Sequence, residues 1–211
     1  MGIKYKPLVQ VESYYDQLFS DGHYNEAIEV MRTFLEECER DGNPYGAMVA
    51  HISIASCHYC LGQIESAFQS VLYYKQLCEE YGGQYEHYNL CYIQALIYDY
   101  EQNYIKAKSA TEECIHLAKA LNLPQELSKN YSLLSYLHIM TEDYAEALSA
   151  AQDALIIAEM HCSEDIYLHC QIYCSLAAAY VYLERFTEAT QILDLLSHNP
   201  FIQNSQPERS R

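Results

Sequence analysis

Tryptophan is absent from the 211 residues, glycine occurs 7 times and proline 5, and 12 Lys and Arg stand against 29 Asp and Glu. Each shortage removes a class of protein. So little glycine and proline excludes collagen-like and low-complexity chains. The glycine-rich phosphate loops are missing, as are the nucleophile elbow G-x-S-x-G and the zinc-protease helix H-E-x-x-H, so no catalytic signature supports an enzyme and no cofactor is implied. A formal net charge of −17 opposes phosphate backbones and anionic lipid surfaces. Nucleic acid and membrane are therefore not expected partners.

Long apolar runs are missing too. No stretch approaches a membrane span, Met1 to Val11 lacks the apolar core of a signal peptide, and Lys6 stands where a myristoylation signal carries Ser or Thr. A cytoplasmic location is expected. The nine cysteines then read as reduced thiols acting as small hydrophobes, with at least one unpaired in a monomer.

Half of the residues are hydrophobic and Tyr occurs 22 times, in a chain rich in good helix formers. One pattern recurs along it: a small polar turn, an aromatic or apolar residue, two more residues, then alanine. It reads Gly22-His23-Tyr24-Asn25-Glu26-Ala27, Gly62-Gln63-Ile64-Glu65-Ser66-Ala67 and Gln102-Asn103-Tyr104-Ile105-Lys106-Ala107. It returns as Glu142-Asp143-Tyr144-Ala145-Glu146-Ala147 and Glu184-Arg185-Phe186-Thr187-Glu188-Ala189. The alanines fall 40, 40, 40 and 42 residues apart, a register that marks a repeat array.

The surroundings of each alanine repeat as well. Nine residues before it stands Leu18, His58, Tyr98, His138 or Tyr180, and thirteen before it Tyr14, Ile54, Gln94, Leu134 or Leu176. With the residues twelve before (Tyr15, Ala55, Ala95, Ser135, Ala177), these form one apolar helical stripe. Four and seven residues after the alanine lie Met31/Phe34, Val71/Tyr74, Thr111/Cys114, Ala151/Ala154 and Leu193/Leu196, again on one helical face. The alanine itself must be small because two helices cross over it, and a larger side chain there would cost roughly 1–3 kcal/mol.

This array resembles the tetratricopeptide repeat (TPR) family, with the small-residue and aromatic signature present in all five units from about Leu8 to His198. It departs from that family in its longer period and in opening helix A with Val11, His51, Cys91, Tyr131 or Tyr173 in place of Trp. Such long units resemble those of bacterial signalling regulators, including Rap and PlcR-type peptide-pheromone receptors, and of Pins-type adaptors of animals. The resemblance implies an all-α, right-handed superhelical solenoid of five helical hairpins, ten to eleven helices in one array over 1–198. The units run about 8–47, 48–87, 88–127, 128–169 and 170–198.

Within each unit the first (A) helices are expected near 8–21, 45–61, 85–101, 125–141 and 165–183, and the second (B) helices from about 24, 64, 104, 144 and 186. Pro44 and Pro124, 80 residues apart, should each open a helix, Gly82-Gly83 should break one, and Ser163-Glu164 should cap one. The polar segment Asn199 to Arg211, with Pro200 and Pro207, reads as a frayed end or a linker.

A helices build the inner wall of such a solenoid. The wall residues are read as Glu12, Asp16, Phe19; Ile52, Ser56, Tyr59; Asn89, Tyr92, Leu96, Asp99, Tyr100; Lys129, Ser132, Tyr136, Ile139; and Gln171, Cys174, Ala178, Tyr182. Tyrosine supplies broad, rigid contact area at low entropic cost, so the wall suits a peptide or helix of a partner protein, one of basic character given the acidity. The family's carboxylate clamp needs Lys, Arg and Asn there, whereas this wall offers Glu12, Asp16 and one cation, Lys129. Pheromone receptors that the array resembles grip peptide backbone with Asn, for which Asn89 and Asn130 are the counterparts. The alternative is a sensor segment of a bacterial signalling protein that dimerises and controls an attached output domain.

Cys57 and Cys60 have C-x2-C spacing, and His161, Cys162, His169, Cys170 and Cys174 crowd another stretch. Zinc needs about four converging ligands. The first pair lies within one helix without a second pair nearby, and both groups are expected to be packing residues, as are His58 and His138. Glu36-Glu37, Glu79-Glu80 and Glu112-Glu113 fall on B helices as solvated surface.

Overall fold

A computed structural model describes residues 6–197, with side chains from residue 10 onward. The segment Asn199 to Arg211 lies outside the described residues. Ten helices and no strand occur among those described: α1 (Lys6–Ser20), α2 (Tyr24–Asp41), α3 (Pro44–Cys60), α4 (Ile64–Tyr81), α5 (Gln84–Tyr100), α6 (Tyr104–Ala120), α7 (Pro124–Met140), α8 (Tyr144–His161), α9 (Ile166–Tyr182) and α10 (Phe186–Ser197). These are the helices expected from the alanine register, each within about two residues of its anticipated start.

Local chemistry fixes the ends. Pro44 and Pro124 occupy first-turn positions of α3 and α7, where a missing N–H breaks no helical bond. Asn43 caps α3 by accepting from Gly46 N at 3.1 Å, and Asn103 caps α6 through Lys106 N at 3.3 Å. The cap of α9 is Asp165, which accepts from Leu168 N at 2.9 Å, rather than Ser163 or Glu164. Those two residues fall two and one positions too early to reach the orphan amides of the first turn.

Each hairpin turns through a left-handed residue five positions before the repeat alanine: Gly22 (φ 77°), Gly62 (69°), Gln102 (58°), Glu142 (63°) and Glu184 (59°). The next amide then reaches back to the carbonyl of the bulky residue that precedes the alanine by nine. His23 N donates to Leu18 O and Gln63 N to His58 O at 2.8 Å, Asp143 N to His138 O and Arg185 N to Tyr180 O at 2.9 Å. This closure satisfies helix-end carbonyls that would otherwise be orphaned, so one backbone device recurs with the repeat.

The chain forms two compact units, Met1–Glu101 and Gln102–Arg211. In the first, α2 packs between α1 and α3, α4 packs on α3 and α5, and α3 lies against α5. Its core gathers Met48, Ala67, Val71, Tyr74, Ile93 and Ile97, with a second cluster of Met31, Phe34, Cys38 and Ile54. In the second unit, α7 packs on α6 and α8, α8 and α10 on α9, and α7 against α9. Its core is made from Ala147, Ala151, Ala154 and Ala158 of α8 against Leu168, Ile172 and Leu176 of α9. Four alanines in helical spacing let those two helices approach closely.

All five repeat alanines are buried. Two stripe positions depart from the expected pattern: Tyr14 and Leu193 are each 52 % exposed, although their counterparts Ile54, Leu134, Leu176, Val71 and Ala151 are buried. The reason is positional, because no described helix precedes α1 or follows α10 to cover them. The paired glutamates at 36–37, 79–80 and 112–113 are all exposed.

Candidate functional site

The wall residues lie on α1, α3 and α5 of the first unit and on α7 and α9 of the second, and each set is described by itself. On α1, Glu12 is half-buried and Asp16 exposed. Phe19 sits between aromatic neighbours, its ring centroid 5.6 Å from that of Tyr15 and 5.3 Å, edge-on, from that of Tyr24. On α3, Ile52, Ser56 and Tyr59 are half-buried, and Ser56 Oγ donates to Ile52 O at 2.9 Å.

Helix α5 carries five tyrosines, of which Tyr85 and Tyr100 are exposed and Tyr88 is buried. Tyr85, Tyr88 and Tyr92 form a ladder along it, with ring centroids 6.4 and 6.2 Å apart and planes tilted by 27° and 12° between successive members. Near the C-terminal end Tyr100 meets Tyr59 edge-on at 6.4 Å. Burial above all, then the charge of Asp99, then Tyr92, Cys60 and Tyr100, hold the Tyr59 phenol above its ordinary pKa. Tyr59, Tyr92, Asp99 and Tyr100 are thus brought into one neighbourhood. Asn89 is half-buried and lies within hydrogen-bonding reach of the hydroxyl of buried Tyr74, which itself donates to Glu86 O at 2.9 Å.

In the second unit Lys129 is half-buried near Cys162. Burial, then the acids Asp165 and Glu126, push the Cys162 thiol up, and Lys129 opposes them. Ser132 and Ser175 meet across α7 and α9, their hydroxyls 3.4 Å apart. Tyr136, Gln171 and Cys174 are exposed, and Ile139 and Ala178 half-buried. Tyr182 lies flat on Tyr144 at the start of α8, with centroids 4.8 Å apart and planes 5° from parallel. One face of its ring is therefore committed to α8.

Of the cysteines and histidines in the two motifs, Cys57 and Cys170 are buried, Cys162 and His169 half-buried, and Cys60, His161 and Cys174 exposed. Cys57 is buried with Sγ 4.0 Å from the Tyr15 hydroxyl, while Cys60 is exposed beside Tyr24. His169 Nδ1 lies 2.8 Å from Asp165 O. Among the described residues no group of three His, Cys, Asp or Glu side chains is placed to hold a metal ion. His58 is buried against Gln63 and His138 half-buried against Asp143.

Two features escaped sequence reasoning. A cavity of 510 Å³ opens between the α6–α7 and α8–α9 turns, lined by Pro124, Glu126, His161, Cys162 and Asp165 among others. The signal for it was the shared repeat phase of those turns. The other is Tyr15, whose hydroxyl donates to Ser53 O of α3 at 3.4 Å and ties the first two A helices together.

The hairpins, their buried alanines and their recurring turn closure define an all-α helical repeat protein of TPR-like fold. Solved structures carry the same fold. BtubC (BKLC) from P. vanneervenii superposes with a TM-score of 0.77 at 18% identity, covering 97% of this chain and 84% of that one. A STAND signal-transduction ATPase with a tetratricopeptide repeat sensor from Pyrococcus horikoshii gives 0.76 at 16% identity over 89% of this chain, which spans 28% of that protein. Nearly identical TPR-like repeats from Podosopora anserina, described there as a kinesin light chain, give 0.68 at 13% identity, covering 95% and 97% of the two chains. No known family description matches the sequence, and no curated protein does. No described helix is long and apolar enough to cross a membrane.

Proposed function

We propose that the chain is a non-enzymatic interaction module that holds a peptide or helix of a partner protein against the tyrosine-bearing faces of its A helices. The observation that carries this reading is the placement of Tyr59, Tyr92 and Tyr100 in one neighbourhood beside Asp99, on helices that also build the core. Aromatic rings fixed on rigid helices contribute contact area with little entropy left to lose, which is what a peptide-binding surface requires. The TPR-like fold of the neighbouring structures is consistent with such a role. The test is affinity capture with mass spectrometry, using the intact chain and a Tyr92→Ala/Tyr136→Ala variant shown to be folded by circular dichroism. A specific partner lost by the variant supports the reading, and capture unchanged by the variant removes these faces as the site.

A second reading, a sensor segment that dimerises and controls an output domain, draws on the likeness to the STAND protein's repeat sensor. The apolar residues Phe186, Leu193 and Leu195 exposed on α10 also favour it. Sedimentation equilibrium decides it: a monomer at high concentration rules out the dimerising form.

A further inference from the structure

Three tyrosines and one carboxylate occupy neighbouring positions on α3 and α5 of the first unit. Tyr59 and Asp99 are equivalent residues of consecutive repeats, each eight positions before its alanine, Ala67 or Ala107. On α5, Tyr92, Leu96 and Asp99 follow one another at helical spacing, so they share a face, and Tyr100 flanks them.

The Tyr59 and Tyr100 rings stand edge to face, centroids 6.4 Å apart and planes at 73°. The Tyr100 hydroxyl passes over the α3–α4 turn, where a Cβ added to Gly62 would lie 3.6 Å from it. Ile52, Tyr59 and Leu96 rest on the core of this unit. One carboxylate oxygen of Asp99, Oδ1, is shielded from solvent, which strengthens its field locally. Helices α3 and α5 together carry Glu86 and Asp99 and contain no Lys or Arg.

We propose that Tyr59, Tyr92, Tyr100 and Asp99 form a seat for one arginine side chain of the bound polypeptide. The inference rests on the interaction-module reading above and names the chemistry that this face recognises. A guanidinium is attracted to the negative face of a tyrosine ring, stacks on it as an ammonium does not, and sheds water more readily. The Asp99 carboxylate supplies the opposite charge. An acidic or phosphorylated side chain would instead meet a carboxylate and electron-rich rings, so the seat selects against it.

The test uses the intact chain with ¹³C-labelled tyrosine rings and three short acetylated, amidated peptides of Gly and Ser, each with one central residue: Arg, Lys or norleucine. Resonances are assigned with single Tyr→Phe variants. The arginine peptide is expected to shift Tyr59, Tyr92 and Tyr100 with an affinity that falls as NaCl is raised. The lysine peptide should bind more weakly, and the norleucine peptide should leave these resonances in place. Asp99→Asn is expected to weaken arginine binding by about fivefold or more. Because Asp99 is half-buried, Tyr100→Ala, at an exposed position, gives a second variant with the same expected loss.

Equal shifts from norleucine and arginine would overturn the seat, because they would show contact without recognition of charge. So would an arginine peptide that shifts none of the three rings. Should the Tyr92→Ala/Tyr136→Ala variant still lose a partner that the intact chain captures, that failure belongs to the arginine seat alone. Should capture also be unaffected, the interaction face fails and the seat with it.

Discussion

Across the α7–α8 turn His138 Nδ1 lies 3.5 Å from Asp143 Oδ2, and at the same two repeat positions across the α3–α4 turn His58 Nδ1 lies 2.7 Å from Gln63 Oε1. In the last hairpin the pair is Tyr180 and Arg185, whose guanidinium carbon stands 4.7 Å from the ring centroid. The backbone closes the same way in all three turns, with the second residue's N–H donating to the first residue's carbonyl. Side chains of different chemistry thus reinforce one backbone closure, which is why residue identity varies at these positions while their contact persists.

Asp143 is the most heavily bonded member of this set. Its Oδ2 accepts from Lys108 Nζ at 2.8 Å and Thr141 Oγ1 at 2.7 Å as well as facing His138. Hydrogen bonds from Lys108, then Thr141, then His138 hold its carboxyl down at about 2. An unfolded Asp titrates near ~3.9, so a depressed folded value stabilises the fold above that pH, and the contribution disappears as pH falls towards 2. Asp143→Ala should therefore melt below the wild type at pH 6, and the gap should close between about pH 4 and pH 2. Melting followed by circular dichroism at several pH values checks this, and a gap independent of pH would show that the charge is immaterial.

The left-handed turn residues give a prediction of opposite sign for two kinds of substitution. Glycine adopts this conformation freely, whereas a side chain there costs about 1–2 kcal/mol. Gln102 and Glu184 bear that cost, and Gln102→Gly and Glu184→Gly should each raise stability by about 0.5–1 kcal/mol. Gly22 already has the freedom, and a Cβ there would meet nothing within 4 Å, so the loss of about 1 kcal/mol in Gly22→Ala would be purely conformational. Urea denaturation of the three variants reads the signs directly.

The helices were legible because a 40-residue register repeats the same demand five times, and a small residue at a crossing leaves an unambiguous mark. The left-handed turns were legible only at Gly22 and Gly62. Gln102, Glu142 and Glu184 announce no such conformation, because the turn is imposed there by the closure around it and against residue preference. The candidate face was harder. Sequence spacing placed Tyr59, Tyr92 and Tyr100 on A helices, but a side chain's commitment to a neighbour depends on the next helix. Tyr182 gives one ring face to Tyr144, and Asn89 serves Tyr74, neither of which its own helix reveals.

Gly46 shows another constraint that composition hides. Its φ is ordinary for a helix, yet a Cβ added there would collide with Cys38 Sγ and stand 2.7 Å from Asn43 Nδ2. The closeness of α2 and α3 at this point is what demands glycine. Gly46→Ala should cost roughly 1–3 kcal/mol as overpacking. Combining it with Cys38→Ala should recover part of that loss, because the sulfur it strikes is gone, so the two changes are expected to be less than additive. Strict additivity in a urea double-mutant cycle would show that the clash lies elsewhere.

Asn89 offers a direct choice between a structural and a ligand-gripping role. The Tyr74 hydroxyl is buried, donates to Glu86 O at 2.9 Å and is hydrogen-bonded by the Asn89 side chain. Removing either partner forfeits a bond worth about 0.5–1.5 kcal/mol net. Asn89→Ala and Tyr74→Phe should each lower stability by about that amount, and the double variant should lose less than the sum, since the shared bond can be lost only once. If Asn89 instead existed to hold peptide backbone, Asn89→Ala would leave the unliganded protein's stability unchanged and weaken only partner capture. Denaturation of the free protein separates the two, and the hydroxyl it already serves points to the structural outcome.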